Sequence, residues 1–150
     1  MNSLRYLIAV AALAFTVPAQ AGVDDPEIII YRVSGVADDN SVLATSFHCT
    51  NFSGVPETLR FVVRNLIGEL VNNQSITVPH LHTTAVSTHE VVIYADLILP
   101  VGVLGTGTAA IAATSTNFTC TAMQVQANAA APVGIALHMT RFNPIPGTQE

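Results

Sequence analysis

Residues 42 to 51 read VLATSFHCTN and residues 118 to 127 read FTCTAMQVQA. Leu43, Phe47 and Cys49 share one parity in the first stretch, and Phe118, Cys120 and Ala122 share one in the second. Successive side chains of a strand point to opposite faces, so both stretches read as half-buried strands with the cysteine on the core side. Ser46 and His48 then take the outer face of the first strand. Neither stretch carries the i, i+3, i+4, i+7 apolar stripe of a helix.

The period of two continues along the chain. Candidate strands run Glu27 to Gly35, Val42 to Asn51, Glu57 to Leu66, Glu69 to Val78, Thr83 to Thr88, Val91 to Ala95, Thr108 to Thr114, Phe118 to Ala127 and Val133 to Phe142. Leu59, Phe61 and Val63 fall opposite Arg60 and Arg64, and Val133, Ile135, Leu137 and Met139 form a core set that leaves His138 outside. Asp38-Asp39-Asn40, Ser53-Gly54, Asn65 to Gly68, Gly102 to Gly107 and Ala131-Pro132 supply turn chemistry between them. The expectation is an all-β domain over residues 22–150, a two-sheet sandwich of about seven to nine strands.

Two cysteines, both facing inward, predict one disulfide between Cys49 and Cys120. Chain entropy assigns such a closure about 4 kcal/mol. No C-x-x-C spacing is present, which argues against a redox-active pair. An early and a late core-facing cysteine about seventy residues apart resemble the inter-sheet bridge of immunoglobulin-like sandwiches. That resemblance implies a bridge joining the two sheets. The chain has no tryptophan to pack on it, and Tyr31 and Tyr94 stand too far from Cys120 for the tyrosine corner of that fold. The stretches SFHCTNFSG (46–54), TNFTCTAM (116–123) and HMTRFNPIPG (138–147) resemble a group of small exported bacterial proteins that carries no named activity. This likeness implies an envelope or secreted location and transfers no functional residue.

Residues 1–21 fit a secretory leader. Arg5 gives a positive start, Tyr6 to Val17 is an apolar run, and Ala19-Gln20-Ala21 is a small-x-small cleavage signal. The run is short for a bilayer of about 30 Å, so membrane insertion after cleavage is not expected. The destination is exported, periplasmic or secreted. From residue 22 onward four arginines stand against ten carboxylates and no lysine is present, a formal charge of −6. Nucleic acids and anionic membrane surfaces both demand clustered cations, and neither is an expected partner.

Three of the five histidines lie within PHLHTTAVSTHE, residues 79–90. On a continuous strand His80 and His82 would share a face, with Cα atoms about 6.5 Å apart, which suits two imidazoles on one Cu or Zn ion. His89 stands at an odd offset and joins them only across a bulge or turn, which Pro79 makes available. His48, His138, Glu90 and Asp96 are the other candidate ligands. The plainer reading makes these histidines polar surface groups, and no cofactor is then required. Asp24, Asp25 and Glu27 with Asp38, Asp39 and Asn40 suggest calcium, yet lack the D-x-D-x-D-G spacing and read as a solvated terminus and a turn. No G-x-S-x-G or paired-acid cleft motif is present, and Ser87 near His89 is not a nucleophile motif, so an enzyme is not expected. Residues 143–150, with Pro144 and Pro146, read as a flexible tail. The functional expectation is a non-enzymatic exported binding or structural module that meets a protein partner through a sheet edge or loops. The alternative is a periplasmic Cu- or Zn-binding protein built on His80 and His82.

Overall fold

The computed structural model describes residues 27–142; the expected leader and the 143–150 tail lie outside the described residues. Ten strands and no helix make up the described residues: β1 (Ile28–Asp38), β2 (Leu43–Asn51), β3 (Glu57–Asn65), β4 (Leu70–Val78), β5 (Thr83–Ser87), β6 (Leu97–Ile98), β7 (Leu104–Ala113), β8 (Phe118–Gln126), β9 (Gly134–Ala136) and β10 (Met139–Arg141). They form two five-stranded sheets, ordered β10-β1-β7-β3-β4 and β6-β5-β2-β8-β9. All pairings are antiparallel except β5 with β6.

The parity of the sequence builds the core between these sheets. Leu59, Phe61 and Val63 of β3 meet Phe47 and Cys49 of β2 and Phe118, Cys120 and Ala122 of β8 in one cluster. Phe47 and Phe61 face each other across the sandwich with ring centroids 5.5 Å apart. Polar contacts also join the layers. The Thr45 hydroxyl receives the Ala37 amide at 2.8 Å and donates to the Ala37 carbonyl at 2.9 Å, so the end of β1 is fixed to β2. Gln124 Nε2 donates to the Gly35 carbonyl at 2.7 Å.

The expected inter-sheet bridge is corrected. Cys49 and Cys120 are bonded, but they are register partners on β2 and β8, neighbours within one sheet, with Cα atoms 4.2 Å apart. Core-facing parity says which side of a sheet a cysteine takes and does not say which strand lies beside it. Packed sheets stand about 10 Å apart, whereas directly opposed antiparallel residues approach to about 4.5 Å, within the reach of a disulfide. The strand order also departs from the ABED and CFG orders of an immunoglobulin constant domain, so the likeness extends to the two-sheet sandwich and stops there.

Three further expectations change. Val91 to Ala95 is not a strand; it packs over the outer face of the second sheet, where Val91 closes a small cluster with Ala44, Val125 and Ala127. The expected last strand divides between the sheets, β9 joining β8 and β10 joining β1. Val133 and Ile135 therefore sit at a sheet margin, 75% and 68% exposed, while Leu137 and Met139 do pack against the core. The glycine-rich stretch read as a turn is in part strand, since β7 starts at Leu104. Gly107 is required there, because a Cβ would drive into the Arg64 carbonyl oxygen of the neighbouring strand.

Phe61→Ala should lower stability by about 3–5 kcal/mol in urea unfolding. Thr121→Ala, exposed on β8, should stay within about 0.5 kcal/mol. Equal effects at the two positions would contradict this assignment of the core.

Candidate functional site

The structure divides the histidine stretch between the two ends of β5. Pro79 to His82 forms a turn in which the His82 amide donates to the Pro79 carbonyl at 3.1 Å and Leu81 takes a φ of 62°. His80 and His82 are exposed and do not share a strand face. His80 Nδ1 accepts the Gly54 amide at 3.0 Å, a bond that fixes the ring to the neighbouring loop. The organiser of this corner is Asn51, fully buried, whose Nδ2 donates at 2.8 Å to both the Val55 and Val78 carbonyls. A buried carboxamide with these partners joins the end of β2 to the end of β4, and the histidines ride on the turn it secures.

His89 lies beyond the other end of β5. A five-residue strand spans roughly 17 Å, so His89 is remote from His80 and His82. It meets instead the turn between β1 and β2. His89 Nδ1 stands 2.8 Å from Asp38 Oδ1, which also accepts the Asn40 amide at 2.5 Å. The Asp39 carboxylate receives the amides of Ser41, Val42 and Leu43 at 2.9, 2.7 and 2.7 Å on a single oxygen. These amides, that of Leu43 foremost, hold the Asp39 carboxyl below the usual carboxylate range.

Asp38, Asp39 and His89 thus bring one nitrogen and two oxygen donors within 4.8 Å of one another, a set of the kind that holds zinc. Two lines of the sequence reading meet here, the histidine of one and the aspartates of the other. The spacing gave no signal of it, because Asp38 and His89 are separated by 51 positions. In the structure the donors bond to one another and to backbone amides. A cation bound through His89 Nδ1 would displace its contact with Asp38, whereas the buried Nε2 has no hydrogen-bond partner among the described residues.

A second group escaped the sequence reading although parity had placed two of its members together. On the outer face of β2, Ser46 Oγ lies 3.1 Å from His48 Nε2, and Ser87 Oγ donates to Ser46 Oγ at 2.9 Å. Tyr94 sets its ring edge-on to His48 with centroids 4.6 Å apart. Burial pushes the His48 imidazole below its ordinary value, and the nearby Asp96 charge opposes that shift. Hydroxyl and imidazole have the contact of a nucleophile with its base. Ser46 and Ser87 have no exposed surface, however, and the bonds account for two hydroxyls enclosed under the Val91 to Asp96 segment. His138, the fifth histidine, lies on the outer side of the first sheet, far in the fold from this group.

The third candidate is an edge. β4 ends the first sheet, pairs only with β3 among the described residues, and reads LVNNQSITV, nine residues without a charge or a proline. Native sheets blunt their edges with short strands, charges, prolines or bulges, because unpaired amides and carbonyls invite another chain; β4 has a bulge at Val71 and none of the other devices. The other outermost strands obey this rule by length: β10 and β9 have three residues and β6 two. The tip joining β3 to β4 adds Leu66 and Ile67, 77% and 76% exposed.

Together these features define a disulfide-bonded two-sheet β-sandwich with one long open edge. No protein-family model, curated protein or solved structure matches the chain. Among the described residues no helix is long and apolar enough to cross a membrane.

A carboxyl depressed in the folded state contributes stability above its unfolded pKa, near 3.9, and loses it as pH falls through the folded value. Wild type should therefore exceed Asp39→Ala in denaturant stability at pH 7, and the difference should shrink as the pH drops below about 4. A difference that stays constant through the acid range would show that the three amide bonds do not depend on the charge.

Proposed function

We propose that this chain is a non-enzymatic, exported binding module that takes up an extended segment of a partner protein by strand addition at β4. The observation that carries the reading is the free edge itself: nine uncharged residues at the end of a sheet whose companions at the other margins are three residues or fewer. Strand addition draws its affinity from main-chain hydrogen bonds and its selectivity from alternating side chains. Here the exposed Asn73, Ser75 and Thr77 offer hydroxyl and amide groups on one face. Val71 and Ile76, half-buried against the core, extend an apolar floor toward an incoming strand. Leu66, Ile67 and Leu70 give the same hairpin an apolar end.

The disulfide supports an oxidising destination, the periplasm or the exterior, in keeping with the leader-like start of the sequence. Copper or zinc binding is the second reading, and the observation that favours it is the Asp38, Asp39 and His89 group rather than His80 and His82. It ranks lower because both aspartate Oδ1 atoms already accept protein hydrogen bonds.

Peptides selected from a random unstructured library against the oxidised protein should perturb the amide resonances of β4. Ser75→Lys combined with Thr77→Lys should weaken them about tenfold or more, equivalent to 1.4 kcal/mol, since charge on an edge opposes pairing. Binders that map to another surface and ignore the two lysines would refute strand addition at this edge.

A further inference from the structure

The outer face of the first sheet holds a second feature, independent of the β4 edge. Three of the four arginines of the described chain, Arg32, Arg60 and Arg64, project from it in a chain whose overall charge is negative. Arg60 is paired with Glu27. The other two have no carboxylate partner among the described residues, and they share a trough.

The strand registers shape it. Arg32 of β1 stands beside Ala110 of β7, which stands beside Val62 of β3; two residues along, Ser34 stands beside Thr108, which stands beside Arg64. Residues two apart on a strand share a face, so Arg32 and Arg64 rise on opposite banks of β7 with the small side chains of Ala110 and Thr108 between them. Two strand spacings and one two-residue step put their Cα atoms roughly 12 Å apart, a gap that two long guanidinium side chains can close upon a ligand. The trough is partly open to solvent and has a volume of about 260 Å³, and His138 and Thr140 line the side next to β10. Among the described residues no aspartate or glutamate lines it.

Both guanidinium groups keep donors for a ligand. Arg32 lies over the Phe142 ring at 5.2 Å, a contact that occupies the face of the group and not its in-plane N–H bonds. Arg64 gives Nη1 to the Gly68 carbonyl at 2.9 Å and retains the rest of its five donors. That bond also limits the rotamers of a long exposed side chain. Arginine forks match carboxylate oxygens two at a time. The volume lies below the range of about 300 to 1,000 Å³ typical of drug-sized ligands, which points to a small one. Between the cations the floor is formed by the small side chains of Ala110 and Thr108, and Val62 extends it on the β3 side.

We propose that this trough binds a small dicarboxylate, one carboxylate on Arg32 and the other on Arg64, with its short methylene spacer crossing β7 over Ala110. Thr140 and Ser34 supply hydroxyl donors on the Arg32 bank, and Thr108 supplies one beside Arg64. Because both guanidinium groups are exposed, binding weakens as salt is added.

The test is an amide-shift titration of the oxidised protein at low ionic strength with succinate, glutarate and adipate, against acetate and inorganic phosphate. At least one dicarboxylate should bind, tighter than acetate or phosphate, with shifts centred on Arg32, Thr108, Ala110 and Arg64. Arg32→Gln, Arg64→Gln and the floor-filling Ala110→Leu should each weaken it about tenfold, the scale of one charge-assisted hydrogen bond. Arg141→Gln removes the same charge outside the trough and should leave affinity unchanged. Thermal unfolding of each variant separates a lost site from a lost fold, and the three substitutions on three different strands keep the proposal exposed if one of them fails to fold. No dicarboxylate binding at tens of millimolar, preference for phosphate or acetate, or loss in Arg141→Gln equal to that in the trough variants would overturn it.

Discussion

The pairing of β2 with β8 sets the rest of the molecule. Nine consecutive residue pairs run without interruption from Leu43 opposite Gln126 to Asn51 opposite Phe118, and the disulfide joins one of them. A one-residue slip of either strand would turn its own core set outward, Phe47 and Cys49 on β2 or Phe118 and Cys120 on β8, so the bond and the hydrophobic pattern enforce the same register. With these two strands placed, Phe47 meets Phe61 across the core and Thr45 reaches the end of β1. Asn51, at the end of the same ladder, fixes the corner that carries His80 and His82.

The two sheets use this frame differently. The second sheet holds the bridge and hides part of its outer face under the Val91 to Asp96 segment, where Ser46, Ser87 and His48 bond to one another. Among the described residues the first sheet remains open. Its outer face carries the arginine trough, and its last strand β4 presents an uncharged backbone edge. The strand-addition edge and the arginine trough therefore both fall on the sheet that lacks the covalent bond, with the bridged sheet serving as its support. The Asp38, Asp39 and His89 contacts clamp the β1–β2 turn to the end of β5, which ties the two layers at the end remote from His80.

Much of the architecture was legible because parity is a local signal. Leu59, Phe61 and Val63 inside, Arg60 and Arg64 outside, and both cysteines facing the core all follow from alternation. Strand neighbours are not local. Nothing in the spacing of Cys49 and Cys120 distinguishes a bridge across the sandwich from one between adjacent strands, and the resemblance to immunoglobulin-like domains pointed to the former. The division of Val133 to Phe142 into β9 and β10 escaped for a related reason: a chain that changes sheets keeps its apolar alternation while its partner changes. The histidines show the limit for sites. His80 and His82 were judged on a strand they do not occupy, and His89 found partners 51 and 50 residues upstream, Asp38 and Asp39, through a fold that no motif encodes. The arginine trough was half visible, since parity had put Arg64 outside, but Arg32 reaches it only through the order β1-β7-β3.

Residue-resolved amide hydrogen exchange of the oxidised protein tests the central claim, a frame locked by β2 and β8 beside an open β4 edge. The amides of Phe47, Cys49, Cys120 and Ala122 should open only with global unfolding, while along β4 every other amide should exchange quickly and the intervening ones, bonded to β3, slowly. Uniform protection along β4 would mean that its edge is covered, and rapid exchange in β2 and β8 would mean that the frame lies elsewhere; either result would contradict the account.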